Sequence, residues 1–237
     1  MKKYIAILLA AAMATLGISA CRKENSNKET KVQKDSDIKV VTTIFPEYDW
    51  VRQIAGEEAD QMDITMLLDN GVDLHSYQPT AEDIMKVSDC DLFVYVGGES
   101  DAWVDDALKQ AKNKDMQVVD LLDVLGNSAK EEEVIEGMEP EEEEEEPEYD
   151  EHVWLSVKNA EVLSKAIADA LEKVDPDHKD IYQENASAYS EKLKDLDAKY
   201  QEVVDGASQK TLLFGDRFPF RYLVDDYGLS YYAAFVG

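Results

Sequence analysis

From residue 37 onward, short β-branched runs alternate with longer segments of helical periodicity. Residues 37–43 (DIKVVTT) predict a strand, because Ile, Val and Thr at this density suit a pleated, half-buried surface. A helical segment follows over 46–55, and 62–68 (MDITMLL) predicts a second strand. Thr80 with Asp83 three residues on supplies the capping chemistry of a helix start. A third strand is expected at 92–97, a helix over 101–111 and a fourth strand at 117–121. This order predicts an α/β fold built on a parallel sheet with helices on both faces. Ligand-binding groups in such sheets lie in loops at the carboxyl ends of the strands, and residues 70–79 occupy one of them.

After residue 155 the pattern changes. Residues 156–173 read as one helix, and Asp175-Pro176-Asp177 then breaks the chain and starts a second, long one. Ile181, Ala186, Tyr189, Leu193 and Leu196 recur along it at roughly helical spacing, carrying it to about Val204. A third region opens with a strand at 211–215 and ends in another at 229–236. Cys90, between a helix end and an apolar strand, is expected to be a small buried thiol.

The N-terminus adds a location. Lys2 and Lys3 precede an apolar run over 4–16, and the small residues of ISA lead into Cys21. That grammar predicts a secretory signal peptide over 1–20. Its ending resembles a bacterial lipobox, which implies acylation of Cys21 and an anchor on the extracytoplasmic face of the membrane. The polar, charged stretch 21–36 then reads as a flexible tether.

Charge narrows the partners. The net charge of -28 moves to -30 when residues 1–20 and their two lysines are removed, which excludes nucleic acid and favours cations. Part of the excess is local. Residues 131–151 hold fourteen acids and no Lys or Arg, including the run Glu141, Glu142, Glu143, Glu144, Glu145 and Glu146. The acidic loop 129–151 is therefore expected to be mobile and to bury no core.

The chain has three histidines, and two of them sit beside acids just before a helix: His75 in NGVDLHSYQP and His152 in DEHVWLS. A neutral imidazole near carboxylates is a natural ligand for zinc or a similar divalent ion. The two segments also resemble the ligand motifs of the metal-binding solute-binding lipoproteins that serve zinc and manganese ABC importers. The resemblance implies two Rossmann-like α/β lobes joined by a long rigid helix, with metal bound in the cleft between them. The first lobe would span 37–155, the helical segment with the interlobe spine 156–207, and the start of an incomplete second lobe 208–237; on this reading the chain is a fragment.

The same resemblance implies His75 and His152 as metal ligands, with Zn2+ as cargo and Mn2+ as the alternative. Glu99 and Trp103 match a family segment after the third strand and would support the ligands from behind. The family usually has Pro where this chain has Glu151. Lining up Phe220, Tyr222 and Tyr227-Gly228-Leu229 puts Arg217 where the family's third histidine stands, and Arg has no lone pair for a metal. Asp216 reaching in, Arg217 pairing with a carboxylate that orients a ligand, or a metal carrying its own anion would each answer that departure. The implied partners are a membrane permease with its ATPase. A metal-stabilised surface adhesin is the second reading. A secreted metallohydrolase is a weaker one, since no His-Glu-x-x-His pattern or nucleophile motif is present.

Overall fold

Ile38–Thr42 (β1) is the strand around which the sheet is ordered. The computed structural model describes residues 38–69, 71–138 and 148–235; the signal segment, Cys21, the tether and Glu141 through Glu146 lie outside the described residues. β1 pairs in parallel with Met62–Met66 (β2) on one side and Leu92–Tyr95 (β3) on the other. Gln117–Asp120 (β4) adds in parallel beyond β3, giving the order β2-β1-β3-β4. The chain thus moves outward from β1 to β2 and returns to the opposite side of β1 for β3. Crevices form at the carboxyl ends of strands where the winding reverses in this way.

Local chemistry sets the helix boundaries. Phe45–Ala55 (α1) starts where the Glu47 carboxylate turns back to accept from the Thr43 and Ile44 N–H groups, with Pro46 in its first turn. Ala81–Asp89 (α2) carries the expected capping box between Thr80 and Asp83. Val104–Gln110 (α3) and Leu121–Leu125 (α4) follow β3 and β4. Val157–Val174 (α5) begins at Ser156, whose Oγ accepts from the Asn159 N–H. Its stripe of Ala160, Leu163, Ile167, Ala168 and Leu171 is buried in the main core with Val40, Phe93 and Leu121.

The long helix is Lys179–Gly206 (α6), 28 residues or about 42 Å, and it starts after a short turn at Pro176–His178. It packs along α5 and α1, burying Tyr182, Leu193 and Val204. His178 pairs with Asp175 at 2.7 Å and serves this corner. No helix among the described residues is long and apolar enough to cross a membrane.

A second, two-stranded parallel sheet pairs Thr211–Leu213 (β5) with Ser230–Tyr232 (β6). Between them lies Arg221–Tyr227 (α7), which the sequence pattern did not announce; it ends at Gly228, whose φ of +62° is the left-handed stop of a helix C-terminus. The strand expected over 229–236 is shorter than predicted, because the pairing with β5 covers three residues.

The acidic loop also departs from expectation in its described arms. Glu131 and Tyr149 form an antiparallel bridge, Glu132 N–H donates to Glu148 O at 2.8 Å, and Asp150 N–H donates to Lys130 O at 2.8 Å. Met138 is buried with Phe218, Val224 and Ala233, and Ile135 packs against them. Two apolar residues inside an acidic run are enough to seat this arm on the second sheet. Cys90 is wholly buried as expected, and burial, with Asp91 adding, pushes its thiol up to about 12.

Candidate metal site

His75 is presented by a loop anchored on both sides. Beyond β2, Leu67 and Leu68 stay on the sheet by donating to Thr42 O and Thr43 O. The chain then makes a tight turn at Leu74–Ser76, started by Asp73 Oδ1 accepting from the His75 N–H at 3.0 Å. Leu74 and Tyr77 are buried, so His75 is lifted outward with 39% of its side chain exposed. Trp103 packs edge-on against Tyr77 and tilted against Phe93, which braces the loop from beneath.

His152 arrives from the other direction and is buried. Asp150 Oδ1 accepts from the His152 backbone N–H at 2.8 Å and lies 3.1 Å from its Nδ1. The same residue's backbone carbonyl accepts from the Tyr222 hydroxyl at 2.9 Å, and that hydroxyl accepts from Lys130 N–H at 3.0 Å. Trp154 lies tilted beside the ring at 5.3 Å.

The two Nε2 atoms are 3.4 Å apart. Zinc–imidazole bonds of about 2.0–2.1 Å meeting at a tetrahedral angle place their nitrogens roughly 3.3–3.4 Å apart. Each Nδ1 faces oxygen: Asp150 behind His152, and Ser100 Oγ at 3.2 Å with Glu151 Oε2 at 3.7 Å behind His75. An Nδ1–H directed at these acceptors leaves both Nε2 lone pairs aimed into one small space.

Further carboxylates line the carboxyl edge of the sheet. Asp101, in the turn after β3, accepts from Val96 N–H at 3.0 Å and Gly97 N–H at 3.1 Å through Oδ2, while its buried Oδ1 has no hydrogen-bond partner. Burial, with the Glu151 charge adding, pushes its carboxyl up to about 7. Glu47, wholly buried in the first turn of α1, is raised well above the usual carboxylate range by burial and by Asp101. Burial thus favours the neutral form of both carboxyls, and a cation brought to this edge would favour their ionised form instead.

The remaining sequence candidates are dispersed. Glu99 is exposed, and Trp103 serves packing. Asp216 and Arg217 are exposed in the turn after β5, where Asp216 Oδ1 accepts from the Arg217 N–H at 2.9 Å. Among the described residues no group of three or more His, Cys, Asp or Glu side chains is gathered for a metal, so Asp216 does not join the histidine pair here. Sequence reasoning passed over Ser100, Asp101, Glu47 and the backing role of Glu151. Two signals pointed to them: the acid pair directly before His152, and Gly97-Gly98 after β3, where positive φ values of +89° and +79° let the backbone approach the Asp120 and Glu151 carboxylates.

A parallel α/β lobe with an imidazole pair at its carboxyl edge, followed by a long helix and a second parallel sheet, has the architecture of a two-lobed binding protein. The family model for ZnuA, zinc-uptake complex component A, periplasmic, matches residues 40–236, and the chain belongs to that family. It is 34% identical over 232 residues to the zinc-binding lipoprotein AdcA of Streptococcus pneumoniae (strain R6), covering 96% of this chain and 43% of that protein. It is also 34% identical over 236 residues to the high-affinity zinc uptake system protein ZnuA of Bacillus subtilis (strain 168), covering 97% of this chain and 70% of that protein. The Zn(II)-bound ZnuA-like domain of Streptococcus pneumoniae AdcA superposes with a TM-score of 0.66 at 32% identity, over 84% of this chain and 67% of that one. The chain thus spans less than half the length of the streptococcal relative.

Proposed function

We propose that this chain contributes the first-lobe half of an extracytoplasmic Zn2+ site and belongs to a protein that delivers the ion to an ABC importer. The observation that carries the reading is the 3.4 Å approach of His75 Nε2 to His152 Nε2, with an oxygen acceptor facing each Nδ1. Two bare imidazole nitrogens facing each other repel until a cation lies between them. Two imidazoles with one or two oxygens suit tetrahedral Zn2+; a larger share of oxygen ligands would turn the preference toward Mn2+. The remaining positions fall to water or to a second-lobe carboxylate; Asp216, which stands apart from the pair in this structure, is our candidate and would have to move in to bind. The zinc-uptake family and the lipoprotein relative support an anchored carrier, with Cys21 as the acylated residue.

The test is a competitive Zn2+ and Mn2+ titration against a chelating dye, with His75→Ala and His152→Ala beside the parent. Single-site Zn2+ binding should weaken by more than about 100-fold in each variant, beyond what outer-shell changes cost. Binding should also weaken on acidification, because protons compete for the same lone pairs. Weak multi-site binding unchanged by either substitution would refute the assignment and move ion uptake to the acidic segment.

A further inference from the structure

We infer that Glu151 is the positioning residue for His75, fixing the ring tautomer that leaves Nε2 bare. This rests on the reading of His75 as a ligand. Glu151 precedes His152, but its carboxylate bonds Ser100 and lies beside His75, and its side chain is only 7% exposed. Oε1 accepts from the Ser100 N–H at 2.8 Å, while Oε2 is buried without a hydrogen-bond partner, 3.7 Å from His75 Nδ1. The backbone makes room for this carboxylate at Gly98, where a Cβ would overlap Oε1. An orphaned buried carboxylate oxygen is costly, and the nearby group able to relieve it is an N–H on His75 Nδ1.

Ser100 Oγ, 3.2 Å from the same nitrogen, cannot decide the tautomer, because a hydroxyl donates or accepts equally well. The carboxylate oxygen accepts. It therefore selects the Nδ1–H form and turns the Nε2 lone pair toward His152. Asp150 does the same for His152. Two acids adjacent in sequence, Asp150 and Glu151, thus each back one imidazole of the pair.

Histidine-15N labelling of the metal-free protein reads this directly, since long-range 1H–15N spectra distinguish the Nδ1–H from the Nε2–H ring; His75→Ala assigns the signals. The parent should show His75 as Nδ1–H. Glu151→Gln keeps a carbonyl for the Ser100 N–H and presents an amide N–H to Nδ1, so it should flip the ring to Nε2–H. Zn2+ affinity should fall with it by about 10–100-fold. Glu151→Ala supplies neither acceptor nor donor and should give a mixture of tautomers with an intermediate loss. A parent ring in the Nε2–H form, or a ring unmoved by Glu151→Gln in a protein with native circular dichroism, overturns the inference. Loss of zinc dependence on His75 with the tautomer shift intact would instead overturn the ligand assignment and leave the positioning role standing.

Discussion

The two imidazoles face one another, yet the chain holds them by different means. His152 is 9% exposed, and its backbone N–H and ring share one carboxylate oxygen at 2.8 and 3.1 Å. Its turn runs straight into α5, whose apolar stripe is part of the main core. His75 stands on a loop held by Leu74, Tyr77 and the Asp73 cap, is 39% exposed, and has longer contacts of 3.2 and 3.7 Å at Nδ1. One imidazole is therefore preorganised by the core and the other by a short polar chain at the surface. On the proposed function, the weaker hold on His75 would give a route to release of the ion without unfolding the lobe.

The largest effect should come from breaking the stronger side. Asp150→Ala removes the acceptor of both the backbone and the ring of a buried histidine. We expect about a 100-fold loss of Zn2+ affinity, the upper end for an outer-shell partner. The measurement is the same dye competition. A loss smaller than that of Glu151→Ala would reverse the ranking of the two sides.

Next is the link between the His152 turn and the second sheet. The Tyr222 hydroxyl donates to Asp150 O and accepts from Lys130 N–H, and its ring belongs to the main core although α7 lies in the second region. Tyr222→Phe leaves two backbone groups unpaired and should cost about 1–3 kcal/mol of unfolding free energy in urea denaturation. Because Asp150 keeps its own hold on His152, zinc affinity should change less than in Asp150→Ala. An equal loss of affinity would mean that α7, rather than Asp150, holds the stronger ligand.

The sequence made the first lobe legible because its strands are β-branched runs separated by helix caps, each with a local physical signature. Thr80 with Asp83 and Ser156 announced α2 and α5 directly. His75 was legible for the same reason, on a loop that the βα order assigns to the carboxyl edge, whereas His152 was legible through the acids beside it and the family resemblance of its segment. What backs them was not. Glu151 reaches Ser100 across 51 positions of sequence, and Tyr222 reaches Asp150 across 72. No periodicity encodes such pairs. The acidic arm misled for a related reason: composition averages over Ile135 and Met138, whereas burial depends on those two side chains alone.

A subtler test separates the carboxylates by pH. The Asp101 carboxyl is pushed from its ordinary 3.8 up to about 7, so the folded chain keeps a proton that the unfolded chain releases between those values. Stability of the metal-free protein should therefore fall as pH rises through that window, the direction linkage requires when the folded state binds more protons. Asp101→Asn keeps an oxygen for the Val96 and Gly97 N–H groups and should flatten this fall. Part of the slope should persist, because Glu47 is shifted the same way. Thermal melts in chelator at pH 5 and 8, on both proteins, check it; parallel slopes would remove Asp101 from the account.

The smallest expected effect is the most discriminating for the weaker side. Ser100 contributes two groups to His75: a backbone N–H that holds Glu151, and a hydroxyl 3.2 Å from Nδ1. Ser100→Ala deletes only the second. If the hydroxyl were the group that orients the ring, affinity would fall as far as in Glu151→Ala. If the carboxylate orients it, the loss is that of one neutral hydrogen bond at a partly exposed position, about 0.5 kcal/mol or roughly twofold. The His75 ring should then remain Nδ1–H in the 15N spectrum, because Glu151 keeps its Ser100 N–H and its place behind the ring. A twofold loss with an unchanged tautomer would make the surface histidine, like the buried one, a ligand set by charge rather than by a hydroxyl. The contrast between the two sides would then lie in burial and contact length alone.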